Sequence, residues 1–345
     1  MNELLNVRNL KVIFPTERGI VRAVEGVNLS VRPGECIAIV GESGCGKSVT
    51  SLAMMKLLSS PPALMQADEM TFDGKDLLQM SEKQMLDIRG KDMSMIFQDA
   101  LTALNPVMTI GRQLDEMFLR HTKMTRKEAM EASIEALRLV GVPAPEKRYH
   151  DYPHQLSGGM RQRVLIAMAF AIKPKLIIAD EPTTALDVTM QAQILDIMNK
   201  LKKTYDTAII LITHDLGVVA QMADRIAVMY AGEIMEVGDA RQIFYQPSHP
   251  YTWGLLGAMP NMIQDVKSEL YTIPGTPPDL YAPPVGCPFA ARCEYAMEAC
   301  LKEEPPKFIK DGGHVSRCWL HDERAPEVTP PAGIPALKKG VKVDE

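Results

Sequence analysis

The chain has 345 residues, a formal net charge of −5 and a pI near 5.9, so it is long enough for one large core and a second, smaller module. The negative charge argues against a surface specialised for nucleic acid. The longest apolar run, 164–172, is far too short to cross a bilayer, and the mixed, charged N-terminus is unlike a signal peptide. We therefore expect no membrane-spanning segment.

The first predicted element is a buried strand over 36–40, a short apolar and partly β-branched run. A predicted helix over 49–55 follows it, and between the two lies the glycine-rich segment Gly41-Glu42-Ser43-Gly44-Cys45-Gly46-Lys47-Ser48. A strand, a glycine-rich turn and a helix N-terminus direct backbone N–H groups at one point, which favours phosphate. Lys47 adds a charge for the β and γ phosphates, and Ser48 adds a hydroxyl for Mg²⁺.

This segment predicts a site for a nucleoside triphosphate. Cys45 occupies a variable position of the pattern, where a small residue is sufficient. The residues expected to contact the nucleotide here are Gly41, Ser43, Gly44, Cys45, Gly46, Lys47, Ser48 and Val49.

A strand is predicted over 93–97, and Gln98 follows it directly. Farther along, Thr125 and Glu128 have the spacing of a capping box. Apolar residues then recur at helical spacing until Gly141. The pattern predicts an amphipathic helix that begins after Thr125 and ends at this glycine.

A second anion-binding pattern is Leu156-Ser157-Gly158-Gly159-Met160-Arg161-Gln162-Arg163. The two glycines leave backbone N–H groups unshielded, and the apolar run 164–172 predicts a helix whose N-terminus faces them. One triphosphate needs only one cradle. We therefore expect Ser157, Gly158 and Gly159 to bind the nucleotide that is held by the phosphate loop of another chain.

Two more buried strands are predicted, over 176–180 and 208–212. The first ends in Asp180 and Glu181, and the second is followed by His214. One carboxylate at a strand end can bind Mg²⁺ while the next polarises an attacking water as general base. The presence of a phosphate loop in the same chain favours that interpretation over two solvated acids.

After about residue 247 prolines become frequent, so we expect a loop-rich segment without an evident core. It contains four of the six cysteines, Cys287, Cys293, Cys300 and Cys318. Disulfides are disfavoured in a reducing compartment. The spacing leaves zinc and an iron–sulfur cluster equally open, because close Cys-x-x-Cys pairs are missing while four thiolates also suit a cluster.

Together, the phosphate loop and the Leu-Ser-Gly-Gly run resemble the ABC ATPase family. The resemblance implies an α/β fold, a P-loop NTPase (RecA-like) core with a helical subdomain over about 99–165. It implies that Ser48, Asp180 and Gln98 bind Mg²⁺ and that Glu181 is the general base. Because position 181 is a glutamate, we expect this site to hydrolyse ATP.

The same resemblance implies four further roles. Asp187 belongs to a loop that crosses to the other subunit, and His214 senses the γ phosphate. Phe14 stacks on adenine, although an aromatic residue in an early strand is as often part of the core. Gln98 is also the hinge of the helical subdomain, whose groove accepts a coupling helix from a membrane subunit.

The C-terminal cysteines, with the Cys287-Pro288-Phe289-Ala290-Ala291-Arg292-Cys293 run, resemble the cluster motif of oligopeptide and dipeptide importer ATPases and favour [4Fe-4S] over Zn²⁺. Segments 98–106, 179–189 and 248–252 resemble the peptide and nickel importer group. The expected domains are an ABC nucleotide-binding domain over 1–250, a small cysteine-containing C-terminal domain over 251–330 and a frayed tail over 331–345.

The expected function is that of a peripheral ATPase subunit on the cytoplasmic face of the membrane, which powers the import of oligopeptides or dipeptides. The implied partners are a second, different ATPase subunit, two transmembrane permease subunits and, indirectly, an extracytoplasmic peptide-binding protein. The alternatives are an importer of nickel or another small solute and a soluble ABC ATPase that acts on nucleic acid or ribosomes. Long coiled-coil inserts or tandem halves would favour the soluble ATPase, and the sequence has neither a heptad run nor a second half.

Overall fold

A computed structural model of the chain describes residues 3–184, 186–259, 272–331 and 333–343. The strands in these ranges are β1 (Leu5–Thr16), β2 (Gly19–Val31), β3 (Cys36–Val40), β4 (Leu64–Gln66), β5 (Glu69–Phe72), β6 (Lys75–Asp76), β7 (Met93–Ile96), β8 (Leu176–Asp180), β9 (Ala208–Thr213), β10 (Arg225–Tyr230), β11 (Glu233–Asp239), β12 (Lys307–Lys310), β13 (His314–Ser316) and β14 (Val341–Val343).

The α-helices in the same ranges are α1 (Lys47–Met54), α2 (Glu82–Ile88), α3 (Ala100–Ala103), α4 (Ile110–His121), α5 (Arg126–Leu139), α6 (Pro145–Arg148), α7 (Gly158–Phe170), α8 (Val188–Tyr205), α9 (Leu216–Met222), α10 (Ala240–Tyr245), α11 (Pro250–Gly257) and α12 (Glu298–Lys302). Short 3₁₀ turns lie at Pro153–Gln155, Ala290–Arg292, Asp311–Gly313 and Trp319–His321. No helix in the described ranges is long and apolar enough to cross a membrane.

The chain divides into two compact units, each assembled from separate stretches of sequence. The first unit comprises Met1–Leu4, Val31–Cys36 and Phe72–Ile212. The second comprises Leu5–Ser30, Ile37–Thr71 and Thr213–Glu345. The phosphate loop therefore belongs to the second unit, and the Leu-Ser-Gly-Gly run and the Asp180–Glu181 pair belong to the first.

The first unit contains the parallel strands β7, β8 and β9 in that spatial order. Every residue of β8 and β9 is buried, which agrees with their apolar sequences because a parallel sheet is normally covered on both faces. The three strands predicted here are confirmed within a residue of their bounds. Their carboxyl ends carry Gln98, Glu181 and Thr213 to one edge of the sheet.

The helices of the first unit start and stop where their local sequence directs. The capping box at α5 is confirmed, since Thr125 Oγ1 accepts from the N–H of Glu128 and the Glu128 carboxylate accepts from the N–H of Thr125. The helix ends before Gly141, whose φ of 72° is the left-handed conformation that favours glycine. α5 packs against α4 and α7.

The second unit joins the chain's early strands to its C-terminal part. β3 runs parallel to β10, and β10 pairs antiparallel with β11. β11 pairs with β13, β13 with β12 and β12 with β14, all antiparallel. β1 pairs antiparallel with β4 in a separate sheet that also includes β2, β5 and β6.

The C-terminal part of this unit has a core of its own, contrary to the expectation from its prolines. Trp253 and Tyr251 on α11 are fully buried, and Phe289 packs against Tyr251 with ring centroids 5.3 Å apart. Pro250 fills the first turn of α11, where a missing N–H costs nothing. Aromatic burial of this kind stabilises the segment.

The frayed tail predicted over 331–345 is wrong for its described residues near the end. Val341–Val343 forms β14 on the edge of β12. Lys339 Nζ donates to the carbonyl oxygens of Asp322, Glu323 and Ala325, at 3.0–3.2 Å. Short strands need little apolar periodicity when an existing edge offers backbone partners. Positions 332, 344 and 345 lie outside the described residues.

Candidate nucleotide-binding site

The phosphate loop connects β3 to α1 in the second unit and has the backbone that its glycines predict. Gly46 has a φ of 102°, and a Cβ added there would lie 2.3 Å from the carbonyl oxygen of Ala23. A Cβ at Gly41 would lie 2.1 Å from the carbonyl oxygen of Met229. Only glycine fits at these two positions, whereas the same addition at Gly44 meets nothing within 4 Å.

The N-terminus of α1 is arranged to accept an anion. Within the part of the chain that the structure describes, no side chain caps this helix, and its first turn contains no acidic residue. The backbone N–H groups and the positive end of the helix dipole therefore face the loop. Ser43, Gly44 and Ser48 are exposed, so a phosphate can reach this surface.

Lys47 lies inside the loop rather than in solvent, with only 6% of its surface exposed. Its Nζ donates to the carbonyl oxygens of Gly41 and Glu42, at 2.8 and 2.9 Å. The ammonium group is thus held at the centre of the loop, where it can meet the phosphate oxygens. Cys45 Sγ lies 3.7 Å from the same ammonium group, and burial raises the pKa of this thiol.

The Asp180–Glu181 pair lies at the carboxyl end of β8 in the first unit. Asp180 is buried, and Glu181 is half-buried with a φ of 46°. The Glu181 N–H donates to the carbonyl oxygen of Ile212 at 2.8 Å, which fixes this unusual backbone against β9. Its carboxylate is therefore aimed by the sheet rather than by a flexible loop.

Two side chains donate to the same oxygen of this carboxylate. Gln98 Nε2 lies 2.9 Å from Glu181 Oε2, and Thr184 Oγ1 lies 2.8 Å from it. Gln98 and Glu181 were both predicted site residues, and the structure brings them into direct contact. The hydroxyl of Thr184 was not predicted to take part in the site. Two donors on one oxygen hold the carboxylate in a defined orientation.

The Leu-Ser-Gly-Gly run opens α7 as predicted. Ser157 is the N-cap, and its Oγ accepts from the N–H of Met160 at 3.4 Å. Ser157 and Gly158 are exposed at the start of a helix of 13 residues, where the dipole favours an anion. Gly159 is buried, and a Cβ there would lie 2.0 Å from Cε of Met190 on α8.

Asp187 is connected to the Leu-Ser-Gly-Gly run through α8, the helix that contains Met190. It is the N-cap of α8, and its Oδ1 accepts from the N–H of Met190 at 2.9 Å. The structure thus packs the serine–glycine run against the first turn of the helix that Asp187 caps. A structural role as a helix cap adds to the predicted role of Asp187 at the subunit boundary.

The remaining predicted nucleotide residues lie in the second unit. His214 is exposed directly after β9, and the neighbouring Asp215 caps α9. Phe14 is half-buried near the end of β1, and Val49 is half-buried in α1. The roles of Phe14, Val49 and His214 stay predictions.

The prediction of a [4Fe-4S] cluster is wrong, and so is the zinc alternative. Among the described residues, no group of three or more His, Cys, Asp or Glu side chains could hold a metal ion. Burial raises the pKa of Cys287 to about 12 and of Cys293 to about 11, and it also raises the pKa of Cys318. Burial of these thiols favours the protonated form over the thiolate. Cys300 Sγ accepts from the N–H of Met297 instead.

The Tyr251 side chain was also missed as a neighbour of the phosphate loop. Its hydroxyl oxygen accepts from the N–H of Glu42 at 2.9 Å, and the ring is fully buried. Tyr251 lies in the segment 248–252, which carried only a family resemblance in the sequence. Contacts across 209 residues leave no local signal.

Known protein families match both the region of the phosphate loop and the C-terminal part of the chain. A family model described as ABC transporter matches residues 24–184, and one described as oligopeptide/dipeptide transporter, C-terminal region, matches residues 235–300. The chain is 54% identical over 336 residues to the oligopeptide transport ATP-binding protein of Bacillus subtilis (strain 168), covering 97% of this chain and 94% of that protein. It is 52% identical over 317 residues to the oligopeptide transport ATP-binding protein of Escherichia coli (strain K12), covering 92% and 93%.

Among solved structures, the chain is similar to an ATP-binding cassette in a dimeric post-hydrolysis state bound to ADP and Pi. The TM-score is 0.62 at 26% identity, and the match covers 69% of this chain and 99% of that one. The predicted α/β fold class of a P-loop NTPase is therefore confirmed.

Proposed function

Because this chain belongs to the ABC transporter family, among the oligopeptide and dipeptide transport ATP-binding proteins, we propose that it is the ATP-hydrolysing subunit that powers a membrane importer of oligopeptides or dipeptides. The observation that carries the hydrolytic part is the Glu181 carboxylate, held at the end of β8 by Gln98 and Thr184. A glutamate in this setting can act as general base, which an ATP-binding regulator without turnover would not need.

In the proposed reaction, Glu181 takes a proton from a water molecule as the water oxygen attacks the γ phosphorus. The bond between that phosphorus and the β–γ bridging oxygen breaks, and ADP leaves. Lys47, at the centre of the loop, neutralises negative charge on the β and γ phosphates. The N–H groups at the start of α1 hold the same oxygens in place.

Mg²⁺ prefers oxygen ligands, and each of the three residues proposed to bind it carries one. Ser48 offers a hydroxyl and Asp180 a carboxylate. Gln98 uses its Nε2 for Glu181, so its amide oxygen is the atom that can bind a cation. Bound Mg²⁺ supplies charge neutralisation at the β and γ phosphate oxygens.

The exposed Ser157 and Gly158 support a proposed pairing with a second ATPase subunit, a different chain of the same family. The N-terminus of α7 would bind the γ phosphate of the nucleotide held by the phosphate-loop lysine of the other subunit. At the second nucleotide, Lys47 of this chain would hold the phosphates and the other subunit would supply the helix N-terminus. Asp187 is proposed to act at the boundary between the subunits. His214 is proposed to sense the γ phosphate, and Phe14 is proposed to stack on the adenine. Hydrolysis removes the phosphate that joins the two halves, so the pair opens.

The membrane partners are proposed to be two permease subunits, with an extracytoplasmic peptide-binding protein acting through them, and the chain is placed at the cytoplasmic face. In the first unit a groove of about 410 Å³ lies beside α2 and α4. It is lined partly by Leu86, Met117 and Met168 and partly by Arg89 and Arg120. Flexible methionines suit an amphipathic coupling helix.

The nucleotide-binding domain over 1–250 and the C-terminal domain over 251–330 remain proposals.

The test uses a strain that lacks the gene and is complemented with the full-length chain, with Glu181→Gln or with Glu135→Gln. Glu135 is an exposed carboxylate that pairs with Arg138 and serves as the matched control. We expect Glu181→Gln to lower ATP hydrolysis and labelled di- and tripeptide uptake by about 10²-fold or more, since a general base contributes that much. The purified variant should still bind MgATP.

Two results would contradict the proposal. Peptide uptake that is unchanged in the strain without the gene would exclude the importer function. ATP hydrolysis that survives Glu181→Gln at the level of Glu135→Gln would exclude Glu181 as the base.

A further inference from the structure

The phosphate loop is bound by an arginine from the C-terminal part of the chain. Arg292 Nη1 lies 2.6 Å from Glu42 Oε2, and Nη2 lies 3.0 Å from Glu42 Oε1. The two groups form a bidentate pair across 250 residues of sequence. Both belong to the second unit. Glu42 is the variable residue directly after Gly41, so the phosphate-loop pattern assigns it no role.

The arginine is rigid and largely withdrawn from water. Its side chain is 6% exposed, and that of Glu42 is 26% exposed. Its Nε donates to the carbonyl oxygen of Pro274 at 2.8 Å, and Nη1 also reaches the hydroxyl of Tyr230 at 3.3 Å. A planar guanidinium fixed at three sides holds its carboxylate partner in one orientation. A surface ion pair would exert much less constraint.

Glu42 in turn connects this pair to the lysine of the loop. Its N–H donates to Tyr251 Oη at 2.9 Å, and its carbonyl oxygen accepts from Lys47 Nζ at 2.9 Å. The residue is thus held at its side chain, its amide and its carbonyl group. Two of these three contacts come from Arg292 and Tyr251, which lie in the C-terminal third of the chain.

We propose that Arg292 is a positioning residue for ATP binding, which acts through Glu42 on the shape of the phosphate loop and on the place of Lys47. The inference rests on the proposed function, because it assumes that MgATP binds at this loop. It assigns the C-terminal part of the chain a direct influence on nucleotide affinity. Arg292 touches no reacting atom, so its effect falls on MgATP binding rather than on the chemical step.

The experiment measures the Kd for MgATP with a fluorescent ATP analogue on the full-length chain and its variants. We expect Arg292→Gln to raise Kd about tenfold, which corresponds to about 1.4 kcal/mol. Glu42→Gln should raise Kd by a similar factor, and the double variant should add little to either, because both changes remove the same pair. Arg292→Lys, which keeps the charge and one hydrogen bond, should recover part of the affinity. ATP hydrolysis should show a raised KM with kcat within about twofold.

Arg317→Gln is the matched control. Arg317 is also half-buried in the C-terminal part of the chain, and its guanidinium binds Glu233 and Glu304, which lie outside the phosphate loop. Loss of that pair should lower the unfolding temperature and leave the Kd for MgATP unchanged. Should Arg292→Gln fail to fold, Glu42→Gln decides the question, since it leaves the contacts of Arg292 with Pro274 and Tyr230 in place.

The inference is overturned if Arg292→Gln and Glu42→Gln bind MgATP as tightly as the unaltered chain, or if their effects add fully in the double variant. Full additivity would mean that each residue acts separately. An unaltered chain that does not bind MgATP would instead refute the proposed function, so the two failures are distinguishable.

Discussion

Acidification is expected to destabilise the C-terminal part of the second unit through two buried histidines. His249 is the N-cap of α11, and its Nδ1 accepts from the N–H of Tyr251 at 3.0 Å. His321 bonds through Nε2 to the carbonyl oxygen of Ser248 at 2.9 Å, and its Nδ1 accepts from the N–H of Gly340 at 3.2 Å. Each ring uses a nitrogen as acceptor, which only the neutral form can provide.

Burial lowers the pKa of both groups far below the ordinary value of 6.5. The pKa of His249 falls to about 3, with the charges of His321 and Arg317 as further causes. The pKa of His321 falls to about 4, with burial as the main cause and Lys310, His314 and Lys339 also lowering it, while its hydrogen bond to Ser248 opposes the shift. Each histidine therefore stays neutral in the folded state at pH values where it is already protonated in the unfolded chain.

The sign and size of the effect follow from linkage. Above pH 6.5 both states are neutral, so these groups contribute nothing to the pH dependence; below it the unfolded state binds more protons and stability falls until the folded pKa is reached. Between pH 6.5 and 5 the loss is about 1.4 kcal/mol per pH unit, or about 2 kcal/mol for each histidine. Both side chains are about 1% exposed, so solvent screening does not reduce the figure.

Urea unfolding at pH 7 and pH 5 measures this loss. Both tryptophans of the chain, Trp253 and Trp319, lie in the C-terminal part, so their fluorescence reports its unfolding. The comparison variant carries His249→Asn, which keeps a capping oxygen, and His321→Gln, which keeps a donor near Nε2. Taking the difference between the two proteins cancels other groups such as Glu233, whose pKa is raised by burial and whose effect has the opposite sign.

We expect the unaltered chain to lose about 4 kcal/mol more than the double variant on going from pH 7 to pH 5. The reasoning is refuted if both proteins lose the same amount at an unchanged denaturant slope. A smaller dependence of the free energy of unfolding on urea concentration at pH 5, seen in the unaltered chain alone, would point to a more compact unfolded state. That result would also refute the prediction.

Two further changes test the phosphate loop and the base. Gly46→Ala places a Cβ within 2.3 Å of the Ala23 carbonyl oxygen, so we expect MgATP binding to fall below detection in a fluorescence titration. Gly44→Ala meets nothing within 4 Å but places alanine at a φ of 79°, so we expect it to bind MgATP more weakly than the unaltered chain yet measurably. Thr184→Val removes one donor from Glu181 Oε2, and we expect kcat for ATP hydrolysis to fall about tenfold with KM unchanged, because one charge-assisted hydrogen bond contributes about 1.5 kcal/mol. An unchanged kcat would mean that Gln98 alone orients the carboxylate.

Local sequence was sufficient to predict the elements that carry the site. The strands over 36–40, 176–180 and 208–212 are short apolar runs that are buried on both faces. The phosphate loop in the same chain favoured buried strands over any other interpretation of these runs. The capping box at Thr125 depends on residues three apart, so it too was readable in the chain. The start of α7 at Ser157 followed from the same kind of short-range rule.

Long-range contacts could not be predicted in this way. The hydroxyl of Tyr251 reaches the Glu42 N–H across 209 residues, and Arg292 reaches the Glu42 carboxylate across 250. The cysteine prediction failed for a related reason, because spacing along the chain does not determine whether the side chains can hold a metal ion, and among the described residues no group of three or more can. Cys287 instead donates its backbone N–H to the carbonyl oxygen of Cys300, which joins the two segments without a metal.

The position of β11 has a consequence for how the chain can be shortened. One edge of this strand pairs with β10 and the other with β13, through Glu236 and Val237. A fragment cut after α10 would leave that second edge bare, and an uncovered edge invites strand addition from another molecule. We expect such a fragment to aggregate unless charged residues are introduced along β11. By covering this edge, β13 is therefore expected to protect the sheet from aggregation.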